Sequence, residues 1–147
     1  RSRLWRMRHQ AYPAILATRP GATAIVTDVC VPISALAQAV QETHADIAAS
    51  PIPGPLLGHV GDGNFHAILL VAHEDPAEHA IAQRLAARMA ERALRLGGTI
   101  TGEHGIGMGK LHLMAAEHGP AWSVMGQIKR ALDPHNLMNP GKLVQQK

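Results

Sequence analysis

Aromatic residues are nearly missing from this chain of 147: Trp5, Tyr12, Phe65 and Trp122 are all there are. A core must therefore be built from Ala, Leu, Ile, Val and Met. Cysteine is rarer still. Cys30 stands alone, which excludes an internal disulfide and fits a reducing compartment. No apolar run approaches the roughly 20 residues that span a bilayer, and no secretory signal pattern is legible. The first residue is Arg1 rather than Met, in a helix-like stretch, so the start is expected to be a cut within a longer polypeptide.

What is present describes one globular domain. Apolar residues make up 46% and charged residues 17%, far from a disordered composition. The net charge of +3, with Arg1, Arg3, Arg6 and Arg8 clustered, raises nucleic acid as a partner. Such surfaces add interleaved aromatics or a recognisable module, and neither follows, so no nucleic-acid role is expected. Ten histidines are the more unusual feature, and only their positions can select among them.

Periodicity predicts a helix over about Leu4–Leu16, with Leu4, Met7, Ala11 and Ile15 on one stripe. A strand follows at Ala24–Val29, then a helix opened by Pro32 with Leu36, Val40 and Ile47 at helical spacing. The Pro-rich stretch Ser50–Pro55 is a loop. Asp75-Pro76-Ala77-Glu78 reads as a helix start with a capping box, and Gly97-Gly98 as that helix's end. Ile81, Leu85, Met89, Ala93 and Leu96 would be its buried face. Further helices are expected near Lys110–Glu117 and Pro120–Leu132. This order predicts an α+β fold, an antiparallel sheet backed by helices.

The segment Gly58-His59-Val60-Gly61-Asp62-Gly63-Asn64-Phe65-His66 reads as a β-hairpin, because Asp-Gly is a favoured two-residue turn. With Asp62-Gly63 as the turn, Gly61 faces Asn64, Val60 faces Phe65 and His59 faces His66. Opposed residues hold their Cβ atoms about 5 Å apart on one face. Two imidazoles at that separation can share a metal ion, or form a plain hydrogen-bonded pair on a polar sheet face. Val60 and Phe65 would point into the core, while Gly61 and Asn64 leave space beside the imidazoles.

A third donor lies in the loop Gly97–Gly107, where glycines at 97, 98, 102, 105 and 107 let backbone approach a ligand. Glu103 offers a carboxylate and His104 a base that titrates near neutrality. His59, His66 and Glu103 form a two-histidine, one-carboxylate set that leaves coordination positions open for substrate. The similar Glu117-His118-Gly119 reads as a helix end. The loop lacks the Lys-Ser/Thr ending of a P-loop.

Three motifs, Gly58–His66, Gly102-Glu103-His104-Gly105-Ile106-Gly107 and Leu137-Met138-Asn139-Pro140-Gly141-Lys142, resemble the C-terminal domain of FAD-linked oxidases of the vanillyl-alcohol-oxidase type. Leu4–His9 and Thr27–Ser34 look like its cytochrome-linked D-lactate dehydrogenase branch, to which the FAD-linked subunit of glycolate oxidase is also similar. The resemblance runs in order over nearly the whole chain. It implies a ferredoxin-like cap or substrate domain, residues 1–147, belonging to a larger flavoprotein whose FAD-binding domain lies outside this chain. It implies that His59, His66 and Glu103 bind a divalent metal, zinc or manganese, and that His104 is the catalytic base. It further implies that Arg8 grips a substrate carboxylate and that Asn139 approaches the flavin.

Two positions depart from relatives that act on 2-hydroxyglutarate: Val26 replaces a Lys, and Ile68 replaces a polar residue. Hairpin parity puts Ile68 on the face of His66, where an apolar wall suits a short substrate tail. The expected function is oxidation of a D-2-hydroxy acid, D-lactate foremost, to the 2-oxo acid, with this chain alone inactive. Expected partners are the N-terminal FAD-binding domain, the 2-hydroxy acid and an electron acceptor (cytochrome, quinone or electron-transfer flavoprotein), with a homodimer left open. The expected location is cytoplasmic or peripheral to a membrane, mitochondrial in a eukaryote. Alternatives are a free-standing metal-binding module and a metal-dependent hydrolase.

Overall fold

The computed structural model describes residues 2–144. Helix α1 (Ser2–Ala17) leads into β1 (Ala22–Val26), β2 (Val29–Cys30) and α2 (Ile33–Ala48). The hairpin strands β3 (Leu56–His59) and β4 (Asn64–Ala72) follow, then α3 (Pro76–Arg95), a 3₁₀ turn at Leu111–Leu113, α4 (Met114–His118) and α5 (Ala121–Leu132). All strand pairings are antiparallel, as expected of this α+β pattern.

Strand β4 is the centre of the sheet, paired with β1 and β2 along one edge and β3 along the other. The expected Ala24–Val29 strand is in fact two strands, since β1 and β2 keep one register against β4 but part between Val26 and Val29. The side chains of β4 alternate. Phe65, Ala67, Leu69 and Val71 enter a core shared with Ala39 and Ile47 of α2 and Ala82, Met89, Ala90 and Ala93 of α3. Asn64, His66, Ile68 and Leu70 point to the opposite face. Arg92, itself buried, fastens α3 to α2 through Glu42, Thr43 and Asp46.

Helix α3 starts as its sequence predicts. Asp75 Oδ1 accepts from Ala77 N (2.8 Å) and Glu78 N (3.3 Å), a cap worth about 1 kcal/mol. The capping box does not form. Glu78 takes a bidentate Arg19 (2.7 and 2.8 Å) and Ala72 N (2.7 Å) instead, because a guanidinium fork binds a carboxylate more strongly than one amide does. The predicted helix at Lys110–Glu117 is a 3₁₀ turn followed by five residues of α-helix. The stripe on α1 is not a buried face: Leu4 and Met7 are 71% and 61% exposed, since no described element packs over that half of the helix.

The hairpin differs from expectation in its turn. Four residues, Val60–Gly63, join the strands, so His59 opposes Asn64 and His66 opposes Leu57. Gly63 is withheld from a two-residue turn because its carbonyl accepts Val31 N (3.1 Å). It sits at φ +85°, where a Cβ would come 1.9 Å from Val31 O, closer than any side chain allows. Asp62 closes the turn by accepting Asn64 N at 3.1 Å. Val60 consequently stands in solvent rather than core, while Phe65 is buried as predicted.

Candidate active site

His59 and His66 are diagonal neighbours rather than an opposed pair, yet they remain on one face because the register shift is two residues and the side-chain period is two. Their ring centroids lie 5.9 Å apart in an edge-on arrangement. Glu103 reaches both: its Oε1 is 3.0 Å from His66 Nε2 and 3.4 Å from His59 Nε2. His104 stacks on His66 with centroids 5.0 Å apart, its Nε2 3.7 Å from the same Glu103 oxygen. Arg8 of α1 comes over the group, Nη2 lying 3.4 Å from His59 Nδ1. These residues share a cleft of about 410 Å³ with Val26, Ile68 and Tyr12. Asn139, in the turn after α5, does not line it.

The donor chemistry fits a divalent ion. Ligands each about 2.1 Å from a tetrahedral ion lie roughly 3.4 Å apart, close to the two gaps above, and one ligand atom from each of His59, His66 and Glu103 falls within 4.8 Å of the others. His66 is pre-set for coordination. Its Nδ1 donates to Thr27 O at 2.9 Å, so the proton sits on Nδ1 and the Nε2 lone pair faces Glu103. Asp28, His66 and His104 form a second possible triplet. Asp28 is a poor ligand, because both oxygens already accept hydrogen bonds: Oδ1 from Asn64, Oδ2 from Thr101 and the backbone of Gly102, Glu103 and His104. Burial pushes the Asp28 carboxyl up, but the His104 and Glu103 amides, with Asn64 and Thr101, outweigh it and hold the group well below the usual carboxylate range.

Sequence reasoning passed over Asp28 and Asn64 as site residues, and took the Asn64 position for open space. Asn64 is in fact buried. A signal was available, since an acidic residue inside the apolar run Ala24–Val29 must be buried or break the strand, and a buried carboxylate needs partners. The Glu117 motif is structural, as expected: Glu117 Oε2 accepts Ile100 N at 3.1 Å, and Gly119 ends α4 with φ 52°.

Residues 1–143 match the family described as FAD linked oxidases, C-terminal domain. The chain is 52% identical over 146 residues to a probable mitochondrial D-lactate dehydrogenase of Danio rerio, covering 99% of this chain and 29% of that protein. It is 41% identical over 142 residues to a mitochondrial D-lactate dehydrogenase (cytochrome) of Arabidopsis thaliana, covering 96% and 25%. With the glycolate oxidase subunit GlcD of Bacillus subtilis (strain 168) the identity is 35% over 139 residues, covering 92% and 29%. The chain thus spans under a third of the length of these relatives.

Proposed function

The chain belongs to the family of FAD linked oxidases, C-terminal domain, and from that premise we propose that it is the substrate-facing part of a flavin- and metal-dependent D-2-hydroxy-acid dehydrogenase, with D-lactate its substrate. The observation that carries this reading is the convergence of two imidazole Nε2 atoms on one carboxylate oxygen, beside a third imidazole and a guanidinium. His59, His66 and Glu103 would hold the metal. When bound, the metal supplies Lewis-acid polarisation of the substrate hydroxyl, and the flavin supplies the two-electron acceptor.

The chain's own residues do the rest. Arg8 binds the substrate carboxylate through its guanidinium fork and so orients C2. His104 receives the hydroxyl proton at Nε2, the atom beside Glu103. Val26 and Ile68 present an apolar wall to the substrate tail, which fits a methyl group better than a second carboxylate. Asn139, outside the cleft, is assigned to the flavin side. The FAD-binding domain would come from the rest of the protein. Val124, Ile128 and Leu132, an apolar stripe of α5 left at least half exposed by the described residues, support contact with such a part. The names of the relatives favour a mitochondrial location in a eukaryote and a cytochrome as electron acceptor.

The test is metal content. The full-length protein should carry about one divalent ion per copy, and His59→Ala with His66→Ala should abolish most of it by elemental analysis. An unchanged metal content in the double variant would overturn the site. Turnover by the protein stripped of flavin would point to a hydrolase instead.

A further inference from the structure

The cleft's two loop residues are held from behind by a carboxylate that the proposed chemistry does not use. Glu103 and His104 have side chains 47% exposed, so burial alone does not fix where they point. Their backbone is fixed instead. Three consecutive amides, Gly102 N (2.9 Å), Glu103 N (3.1 Å) and His104 N (2.9 Å), converge on Asp28 Oδ2, which also accepts the Thr101 hydroxyl at 2.8 Å. Such a run of N–H groups forms an anion-binding concavity. Here the anion is built into the fold.

The other oxygen faces the hairpin. Asp28 Oδ1 accepts Asn64 Nδ2 at 2.8 Å and lies 3.7 Å from His66 Nδ1. A negative charge there favours the proton on Nδ1, the tautomer that leaves Nε2 free. Lys110 counters the buried charge: its ammonium donates to Asp28 O at 2.7 Å and to Ile100 O at 2.5 Å, with Asp28 Oδ2 3.9 Å away. The fit has no slack, since a Cβ on Gly102 would meet Asn64 Nδ2 at 1.8 Å.

We propose that Asp28 is a positioning residue for the metal site, its buried carboxylate setting both the direction in which the loop presents Glu103 and His104 and the tautomer of His66. This rests on His59, His66 and Glu103 being metal ligands. Charge and shape are both required. An Asn at this position puts an NH₂ among donors that need an acceptor. A Glu carries the charge, but its extra methylene moves the carboxylate off donors that already stand at hydrogen-bond distance around a buried side chain.

The experiment compares the full-length wild type, Asp28→Asn, Asp28→Glu and Thr101→Val by equilibrium dialysis with Zn²⁺ and by the absorption spectrum with Co²⁺. Asp28→Asn should lower Zn²⁺ affinity roughly 10- to 100-fold, the usual effect of losing a partner of a ligand, and alter the Co²⁺ spectrum. Asp28→Glu should not restore either. Thr101→Val, losing one donor of several, should weaken binding by only a few-fold. Wild-type Zn²⁺ affinity with an unchanged Co²⁺ spectrum in a folded Asp28→Asn protein would overturn the inference and leave the ligand assignment standing. No metal uptake by the wild type would overturn the ligand assignment itself. Hydrogen exchange of the metal-free wild type decides the case if the Asp28 variants do not fold. Amides 102–104 should exchange slowly, and exchange at the rate of free loop amides would rule Asp28 out.

Discussion

Val26 and Ile68 stand directly opposite each other across the β1–β4 ladder, on the face of β4 that carries His66. Two apolar side chains 42 residues apart in sequence are therefore one surface, and they also share the cleft with Arg8 and His104. A second substrate carboxylate reaching that surface would lose water and find no donor, at a cost of several kcal/mol.

Substrate preference should follow from this pair. The full-length enzyme should favour D-lactate over D-2-hydroxyglutarate by at least about 10²-fold in kcat/KM, a ratio that takes roughly 2.7 kcal/mol. Val26→Lys with Ile68→Asn should narrow the gap by giving the distal carboxylate partners. Steady-state rates with an artificial electron acceptor make the comparison. Equal efficiency on both acids in the wild type would remove these positions from the substrate tail.

His104→Ala should lower turnover by roughly 10²–10⁴, the usual worth of a general base, while metal content stays near the wild-type level. The two histidines and Glu103 keep their geometry in this variant, because the His104 amide rather than its ring is what Asp28 holds. Loss of the metal along with the activity would make His104 a ligand and leave Glu103 in need of another role.

Acid should weaken the Arg19–Glu78 junction between α3 and the sheet. Hydrogen bonds from Arg19 and from Ala72 N bring the Glu78 carboxyl down to about 2 from its ordinary 4.5. A folded-state pKa below the unfolded one stabilises fully above pH 4.5, and the contribution fades as pH falls toward about 2. Thermal unfolding of wild type and Glu78→Gln should therefore differ at neutral pH and converge across that window. A constant difference from pH 6 down to pH 2 would show that the junction carries no such charge-dependent stability.

Much of the site was legible from local rules. Side chains alternate along a strand with a period of two, so His59 and His66 share one face with a two-residue or a four-residue turn alike, whereas a three-residue turn would part them. The turn itself is not a local matter, because Gly63 is claimed by Val31 across the sheet, a partner 32 residues away that no local pattern reveals. The Asp75 cap was legible for the same reason that Glu78 was not: a cap is a contact within one turn, whereas Arg19 reaches Glu78 over a separation of 59 residues.

The sequence by itself determined the α+β class, the family and the chemical types gathered at the cleft, since these depend on residue identity and spacing over a few positions. Only the tertiary structure decided that Glu103 comes within 3.4 Å of both histidines, that Val26 backs Ile68, and that Asp28 lies beneath the loop. Each of those contacts joins segments distant in sequence, brought together by the pairing of β4 with β1, β2 and β3 and by the bridge between Cys30 and Thr99. Sheet register is a property of pairing between distant stretches, and no single stretch contains it.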